Sequence, residues 1–459
     1  MASKAAPPPS AQSFGLNMVG VVGVLIALYA LRERHFEGLN AVLILCAAGV
    51  GPIILFDIFA LRVHRRPTTG IDWDRAPTSD LKRVATKLLG LGLTVGPIAL
   101  AYWAFPEYRF MGNTNDFYHP LYNVLQRFWV PLVVSAVVYV WIVDGYMRDP
   151  YDAYWQLGRV VLLHPSDAKK ADVANHFRGW LVKAFYIPLF IVYGQSQLNG
   201  LLHFNLDTIN ASNLRLYDFL NDLVYGLDVL FAMVGYLLSF RIIDSHVRTA
   251  EPTMLGWCVA LECYNPFWSG MFQRQYLHYE GMGFGTWLQD HHTLRWCWVG
   301  MILSCDLVYV LATFAFGVRF SNLTHRGILT NGPYRFSKHP AYIAKNISWW
   351  LITLPCIPIG VLGAHSITEA IRNSLLLGGV NMIYFLRAKT EERHLSRDPT
   401  YVEYALWMNE HGSLAFLGRW FPLLKYKPPA TYKPPTPAQK PPPPSEGVAT
   451  APTPEAGGA

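Results

Sequence analysis

The stretches FGLNMVGVVGVLIALYAL (residues 14–31) and LNAVLILCAAGVGPIILFDIFAL (residues 39–61) decide the fold class. Each is near the about 20 apolar residues that one helical bilayer crossing requires. The first has no charged side chain and the second carries only Asp57. In hydrocarbon every backbone polar group must be satisfied internally, which leaves helices or closed barrels. Runs of this kind recur at 84–105, 128–147, 180–199, 218–240, 294–318, 341–363 and 368–388. A tenth candidate, MLGWCVALECYNPFWSGMFQ at 254–273, contains Glu262 and is either a crossing or a re-entrant or interfacial segment. The expectation is an all-α polytopic transmembrane helix bundle of about ten spans.

Composition agrees. Hydrophobic residues make up 52% of the 459 and charged residues 15%, against about 25% charged in soluble chains. Many of the 15 Trp and 25 Tyr stand at the ends of the apolar runs, where a ring with an apolar body and a polar tip fits the interface. The net charge of +7 reads as positive-inside bias, because Lys and Arg form no single basic stripe of the kind nucleic acid requires. The six cysteines form no CxxC pair and mostly lie in apolar runs, as reduced packing residues do. MASKAAPPPSAQS at the start lacks a basic region leading straight into an apolar stretch, so the first run reads as a retained span.

Basic residues set the expected orientation. The second connection holds Arg62, Arg65, Arg66, Arg75, Lys82, Arg83 and Lys87, and the fourth holds Arg148, Arg159, Lys169, Lys170 and Arg178. The third holds only Arg109 and Arg127, and the fifth only Arg215. The second and fourth connections, and with them the N-terminus, are expected in the cytoplasm. Ten spans also put Arg319, Arg326, Arg335, Lys338 and the C-terminus there. The membrane is expected to be a bacterial inner membrane or the endoplasmic reticulum. The chain divides into an N-terminal tail (1–13), an N-terminal transmembrane region (14–293), a C-terminal membrane core (294–426) and a Pro-rich tail (427–459) expected to be disordered.

Chemistry concentrates in residues 326–404. RGILTNGPYRFSKHPAYIAKN enters a span, an apolar hairpin follows, and RAKTEERHLSRDPTYVEY leaves the next span. An antiparallel hairpin returns both polar segments to one membrane face. Gly332–Pro333 marks a turn and Pro340 suits the first turn of a helix. His339 then stands at the helix start, near unpaired backbone donors that favour anions. Tyr384, Arg387 and Glu391 share a helical face, with Glu392 about 100° around it. Arg335, Lys338, His339, Arg387, Glu391 and Glu392 are thus candidates to converge on a zwitterionic or phosphorylated small molecule. On spacing alone, a basic juxtamembrane face with solvated glutamates is the plain alternative.

GPYRFSKHPAY, the apolar hairpin, and EERHL followed by Tyr401 and Tyr404 resemble the C-terminal core of the isoprenylcysteine carboxyl methyltransferase family and the related phospholipid methyltransferases. The resemblance covers about 80 residues. It implies S-adenosylmethionine as cofactor and methyl transfer to a membrane lipid or lipidated acceptor. Tyr334, Arg335, His339, Pro340 and Tyr342 match the first half of the motif, and Glu391 and Glu392 match its acidic pair. The resemblance implies that His339 and Arg335 bind the methionyl carboxylate and that Glu391 or Glu392 binds the ammonium. Lys338, Tyr342, Tyr384 and Arg387 complete the expected cofactor site, and Glu391 and Glu392 are the candidate catalytic residues. A carboxylate acceptor needs no base, whereas an amine needs one, for which the two glutamates are nearest. Two positions depart from the family: Lys338 replaces an Arg, losing a bidentate fork, and Ala344 replaces a Gly.

The same core resembles, more loosely, the membrane sterol reductases, which use NADPH. Chain length, span count and NPFWSGMFQRQYL (265–277) favour that branch; TEERHL and KHPAY favour the methyltransferases. A reductase would draw its proton donor from Glu262, Asp228 or Asp306, since ionisable residues at such depth are functional suspects. A non-catalytic lipid-binding or transport protein is the third possibility, with Asp57, Asp144 and Lys183 as a polar path or as snorkelling residues. GMGFG (281–285) is a weak glycine signal expected on the outer face, and His291-His292 lacks partner spacing for a metal. Asn210-Ala-Ser is a glycosylation sequon on an outward connection.

Overall fold

The computed structural model describes residues 6–105, 108, 117–211, 213–274, 277–279, 281–356 and 367–432. The sequon's Ser212 and the tail beyond residue 432 lie outside the described residues.

Helices carry nearly all the regular structure. The long ones are α1 (Phe14–Glu33), α2 (Gly38–Leu55, prolonged by a π turn at Phe56–Ala60), α3 (Leu81–Ala104) and α4 (His119–Tyr146). A short α5 (Ala153–Val161) leads into α6 (Lys170–His203) and α7 (Asn213–Leu237). The chain continues through α8 (Met254–Leu261), α9 (Phe284–Trp287), α10 (His292–Phe316), α11 (Pro340–Thr353), α12 (Ile367–Leu395) and α13 (Pro399–His411). The one strand pair among the described residues joins β1 (Thr249–Ala250) antiparallel to β2 (Thr324–His325).

Among the described residues, six helices are long and apolar enough to cross a membrane: Phe14–Glu33, Gly38–Ala60, Leu81–Ala104, His119–Tyr146, Leu214–Leu237 and His292–Arg319. Pro52, Pro97 and Pro131 sit inside three of them, a substitution that membrane helices tolerate. Helices α6 and α12 have 34 and 29 residues, ample length for a roughly 30 Å core, but are more polar. The expected span at 341–363 continues α11 into residues outside the described set. The 254–273 stretch departs from a single spanning helix: α8 has eight residues, and a turn follows at Glu262. Pro266 lacks the backbone N–H that a continued helix needs.

The helices have a common pair of ends. At one end Gly38 N donates to Asn199 Oδ1 (3.1 Å), and the Tyr217 and Phe284 rings pack at 5.2 Å. At the other end, Asp72 N donates to Tyr146 O (2.8 Å), Asn175 Nδ2 to Arg248 O (3.2 Å), and Glu251 N to Leu323 O (2.8 Å). Side chains from α2, α6, α7 and α10 fill the centre, with Leu45, Tyr186, Phe231 and Val310 almost fully buried. Helix α4 is peripheral: only 17% of its apolar window is buried, so most of its Val, Leu and Trp side chains face outward as lipid-facing groups do. The six cysteines form no disulfide, and Cys258, Cys297 and Cys356 lie on the outer surface rather than in packed interior.

A buried polar knot closes the second end. Arg326 donates to five carbonyls: Ser245, Gly235 (2.7 Å), Phe320 (2.9 Å), Leu238 (3.1 Å) and Val318 (3.2 Å). Gly235 lies in the last turn of α7 and Leu238 just after it, while Val318 and Phe320 follow α10, so one guanidinium ties the exits of two helices together. Arg319 donates to Asp244 O, to Asp244 Oδ2 (3.2 Å), to Arg326 O (2.9 Å) and to Gln12 Oε1 (3.0 Å). Gln12 in turn donates to Asp57 Oδ2 (3.2 Å). The segment set apart as an N-terminal tail packs here: Ala11 N donates to Ile328 O (2.8 Å) and Thr330 Oγ1 to Pro8 O (2.7 Å).

Arg326→Met is expected to cost about 3 kcal/mol or more, because it strands several buried carbonyls at once. Arg326→Lys should recover only part of that, lacking the planar fork. Thermal unfolding of the purified protein in detergent measures both; an unchanged melting temperature for Arg326→Met contradicts the assignment.

Candidate functional site

From the polar knot the chain runs into a 3-10 turn at Gly332–Arg335 and then into α11 at Pro340. Gly332 takes φ +55°, a left-handed conformation that glycine adopts without strain. The Pro340 ring presets the first helical φ, so His339 stands at the helix entrance. Helix α12 returns beside α11, and its period brings Tyr384, Arg387 and Glu391 to one face.

These elements enclose a cavity of about 110 Å³, an order of magnitude above the roughly 10–15 Å³ that one water needs. Tyr334, Lys338, His339, Tyr342, Tyr384, Arg387 and Glu391 line it. Across the two segments, Tyr342 Oη donates to Glu391 Oε2 (2.8 Å), and His339 Nδ1 lies 3.9 Å from the same oxygen. The His339 ring stacks on Tyr342 with centroids 5.4 Å apart. Arg387 lies over the rings of Tyr342 (5.0 Å), Tyr384 (5.7 Å) and Tyr264 (5.9 Å), and donates to Asn322 Oδ1. Three tyrosine faces thus hold a desolvated guanidinium in place.

Two expected residues stand elsewhere. Arg335 is exposed and outside the cavity, because the 3-10 turn aims it away from the His339 side. Glu392 is buried behind the wall, with Lys338 Nζ at 2.5 Å, Lys389 Nζ at 2.9 Å and His339 Nε2 at 3.4 Å. Burial alone would raise the Glu392 carboxyl. The interactions with His339 and Lys338 outweigh it and hold the group well below the usual carboxylate range. Glu392 therefore positions two cavity-lining side chains, Lys338 and His339, while Glu391 faces the cavity.

Other residues line the same space without having been expected. Glu251, placed by the β1–β2 pair, meets His394 Nδ1 at 3.4 Å, and His394 Nε2 lies 2.8 Å from Thr249 Oγ1. Burial would raise the Glu251 carboxyl, but its interactions with His394 and Thr253 lower it on balance. Lys345 reaches the inner, aromatic end, its Nζ 4.8 Å from the Tyr309 centroid and 5.6 Å from Trp349. Among the described residues no carboxylate lies within ion-pair distance of it. Helical spacing carried a signal for two of these: Lys345 is three residues beyond Tyr342, and His394 three beyond Glu391. Glu251 and Asn322 carried none, since only the tertiary fold brings them near.

The deep acids do not line the cavity. Asp228 accepts from Tyr309 Oη (2.6 Å) and Thr313 Oγ1 (2.5 Å), and Asp306 from Ser348 Oγ (3.0 Å). Asp144 pairs with Arg83 (2.7 Å) and Lys87 (2.8 Å), Lys183 lies 4.7 Å from the Trp180 ring centroid, and Asp57 belongs to the polar knot. Each has a separate local partner. In GMGFG, a Cβ on Gly281 would come within 1.8 Å of Thr353 O, at the end of α11 away from His339; its glycine permits a close backbone approach. No protein-family model, no curated protein and no solved structure matches the chain.

Glu392→Gln is expected to cost about 3 kcal/mol near neutral pH by leaving the buried Lys338 uncompensated. The folded-state pKa lies below the ordinary value, so the Glu392 contribution is full above about pH 4.3 and is lost as pH falls through the folded value. Melting temperatures from neutral pH down to the acid limit should show a shallower acid decline for Glu392→Gln than for the parent. Parallel curves contradict this role.

Proposed function

We propose that the chain is a membrane-embedded methyltransferase that uses S-adenosylmethionine and acts on a lipid-like or lipidated acceptor. The observation that carries this is the mixed charge of one cavity: Lys338 and Arg387 stand with Glu391 and the His339 imidazole among packed tyrosine rings. A methionyl zwitterion requires both signs a few ångströms apart, and an adenine ring requires aromatic faces. The polyanionic NADPH would meet Glu391 and Glu251 in the same wall, which weighs against the reductase alternative.

The cofactor supplies an activated methyl group, so the protein's task is to position donor and acceptor and to exclude water. His339 and Lys338 would bind the carboxylate, with Glu392 holding both in place. Glu391, fixed by Tyr342, would bind the ammonium or, for an amine acceptor, take its proton. Lys345, with no ion-pair partner among the described residues, would meet an anionic acceptor oxygen at the inner end. Arg335 has no place in this arrangement.

The proposed topology has ten crossings. The chain leaves the polar end at Glu251 and reaches the opposite end by His292, so 254–291 would make a broken tenth crossing. Both termini would then share the polar end, which the basic connections assign to the cytoplasm of a bacterial inner membrane or of the endoplasmic reticulum. Irregular backbone at membrane depth is tolerated where it lines a protein cavity, and Cys263 and Tyr264 do line this one.

Calorimetric titration of the purified protein with S-adenosylhomocysteine and with NADPH tests the proposal. Saturable binding of the first is expected, weakened about tenfold or more in His339→Ala and Glu391→Ala, since each removes a hydrogen bond to a charged group. Binding of NADPH alone transfers the assignment to a reductase, and binding of neither leaves a non-catalytic lipid protein.

A further inference from the structure

Residues 414–425, LAFLGRWFPLLK, leave the packed body after Ser413 and rejoin it at Tyr426. Ser413 N donates to Phe336 O (2.9 Å). Tyr426 is buried; its N donates to Asn409 Oδ1 (2.9 Å), its O accepts from Asn409 Nδ2 (2.8 Å), and its hydroxyl lies 2.7 Å from Ser396 Oγ. Between these two pins, Phe416, Trp420, Phe421 and Leu423 are 55–78% exposed, and the adjoining Phe336 is 60% exposed. So much large apolar surface on a well-pinned loop marks a contact surface.

Its rim is basic. Arg335, Arg419, Lys425 and Lys427 are exposed, and none has an ionic partner among the described residues. No Asp or Glu occurs in 412–432. The Phe336 anchor point lies four residues before Pro340, where α11 enters the bundle. The loop therefore stands at the level of a membrane surface.

We propose that residues 414–425 are an interfacial anchor that docks on an anionic lipid surface. The aromatic and leucine side chains enter the headgroup–acyl boundary, and Arg335, Arg419, Lys425 and Lys427 meet lipid phosphates. This assigns a partner to Arg335, and it does not depend on which reaction the cavity performs. It also reaches the cavity: Lys338 Nζ lies 5.4 Å from the Tyr426 ring centroid and 2.5 Å from Glu392 Oε1. Lipid docking thus steadies Tyr426, which packs on the Lys338 ammonium beside the cavity.

Hydrogen exchange of the full chain in nanodiscs, one copy per disc, tests the anchor. Amides of 414–425 should exchange about tenfold or more slowly in discs containing phosphatidylglycerol than in phosphatidylcholine alone, with the difference shrinking at high salt. The triple variant Arg419→Gln, Lys425→Gln, Lys427→Gln should lose the lipid dependence while α13 keeps its protection, which certifies the fold. Trp420→Ser with Phe421→Ser should exchange fast in both lipids. Equal rates for the parent in the two lipids overturn the proposal. Protection that appears only with two copies per disc also overturns it and assigns the loop to a contact between chains.

Discussion

The carbonyls at the ends of α7 and α10 impose the constraint on which the rest depends. Both helices stop at the same end of the bundle, and their last carbonyls are buried by the chain that follows. Water cannot reach them, and an unpaired buried carbonyl is costly. Arg326 satisfies five carbonyls at and beyond the exits of both helices, and Asn17 Nδ2 takes Phe314 O and Ala315 O in the last turn of α10. Arg319 adds Asp244 and Gln12, which ties the N-terminal residues to the same point. A guanidinium suits this task because its donors are fixed in one plane and stay charged.

The knot also sets the start of the segment that carries the cavity. Arg326 and His339 are thirteen positions apart, and between them Ile328 O and Thr330 N bond to Ala11 and Ser10 of the N-terminal segment. The entrance to α11 is therefore placed by the polar end, not by helix packing alone. Helix α12 then needs only its own period to present Tyr384, Arg387 and Glu391. The cavity forms where a chain pinned by hydrogen bonds meets a helix positioned by apolar contacts, among them Leu377 and Val380, which are fully buried.

Charge in this region follows a division of labour. Glu392 lies between the ammonium groups of Lys338 and Lys389 and serves as their counter-ion, with the His339 ring beside it. Glu391, one residue earlier, escapes that role because the helix turns it toward the cavity. Lys345 sits among aromatic rings without an ion pair, a state that cation–π contact makes tolerable. The site thus has one neutralised layer behind it and one responsive layer facing inward.

Chain-local rules made much of this legible in the sequence. Apolar run length sufficed for six crossing helices, since the bilayer leaves a helix few alternatives. Helical period sufficed to group Tyr384, Arg387 and Glu391, and a proline at a helix start sufficed to locate His339. The tertiary structure alone decided what depends on three-dimensional neighbours. It sent Arg335 outward, turned Glu392 to the rear, broke the 254–273 stretch and brought Glu251 and Asn322 to the cavity wall. Spacing along a helix reports direction within one element, whereas charge pairing and closure of a cavity depend on which other elements arrive, and the local sequence carries no record of that.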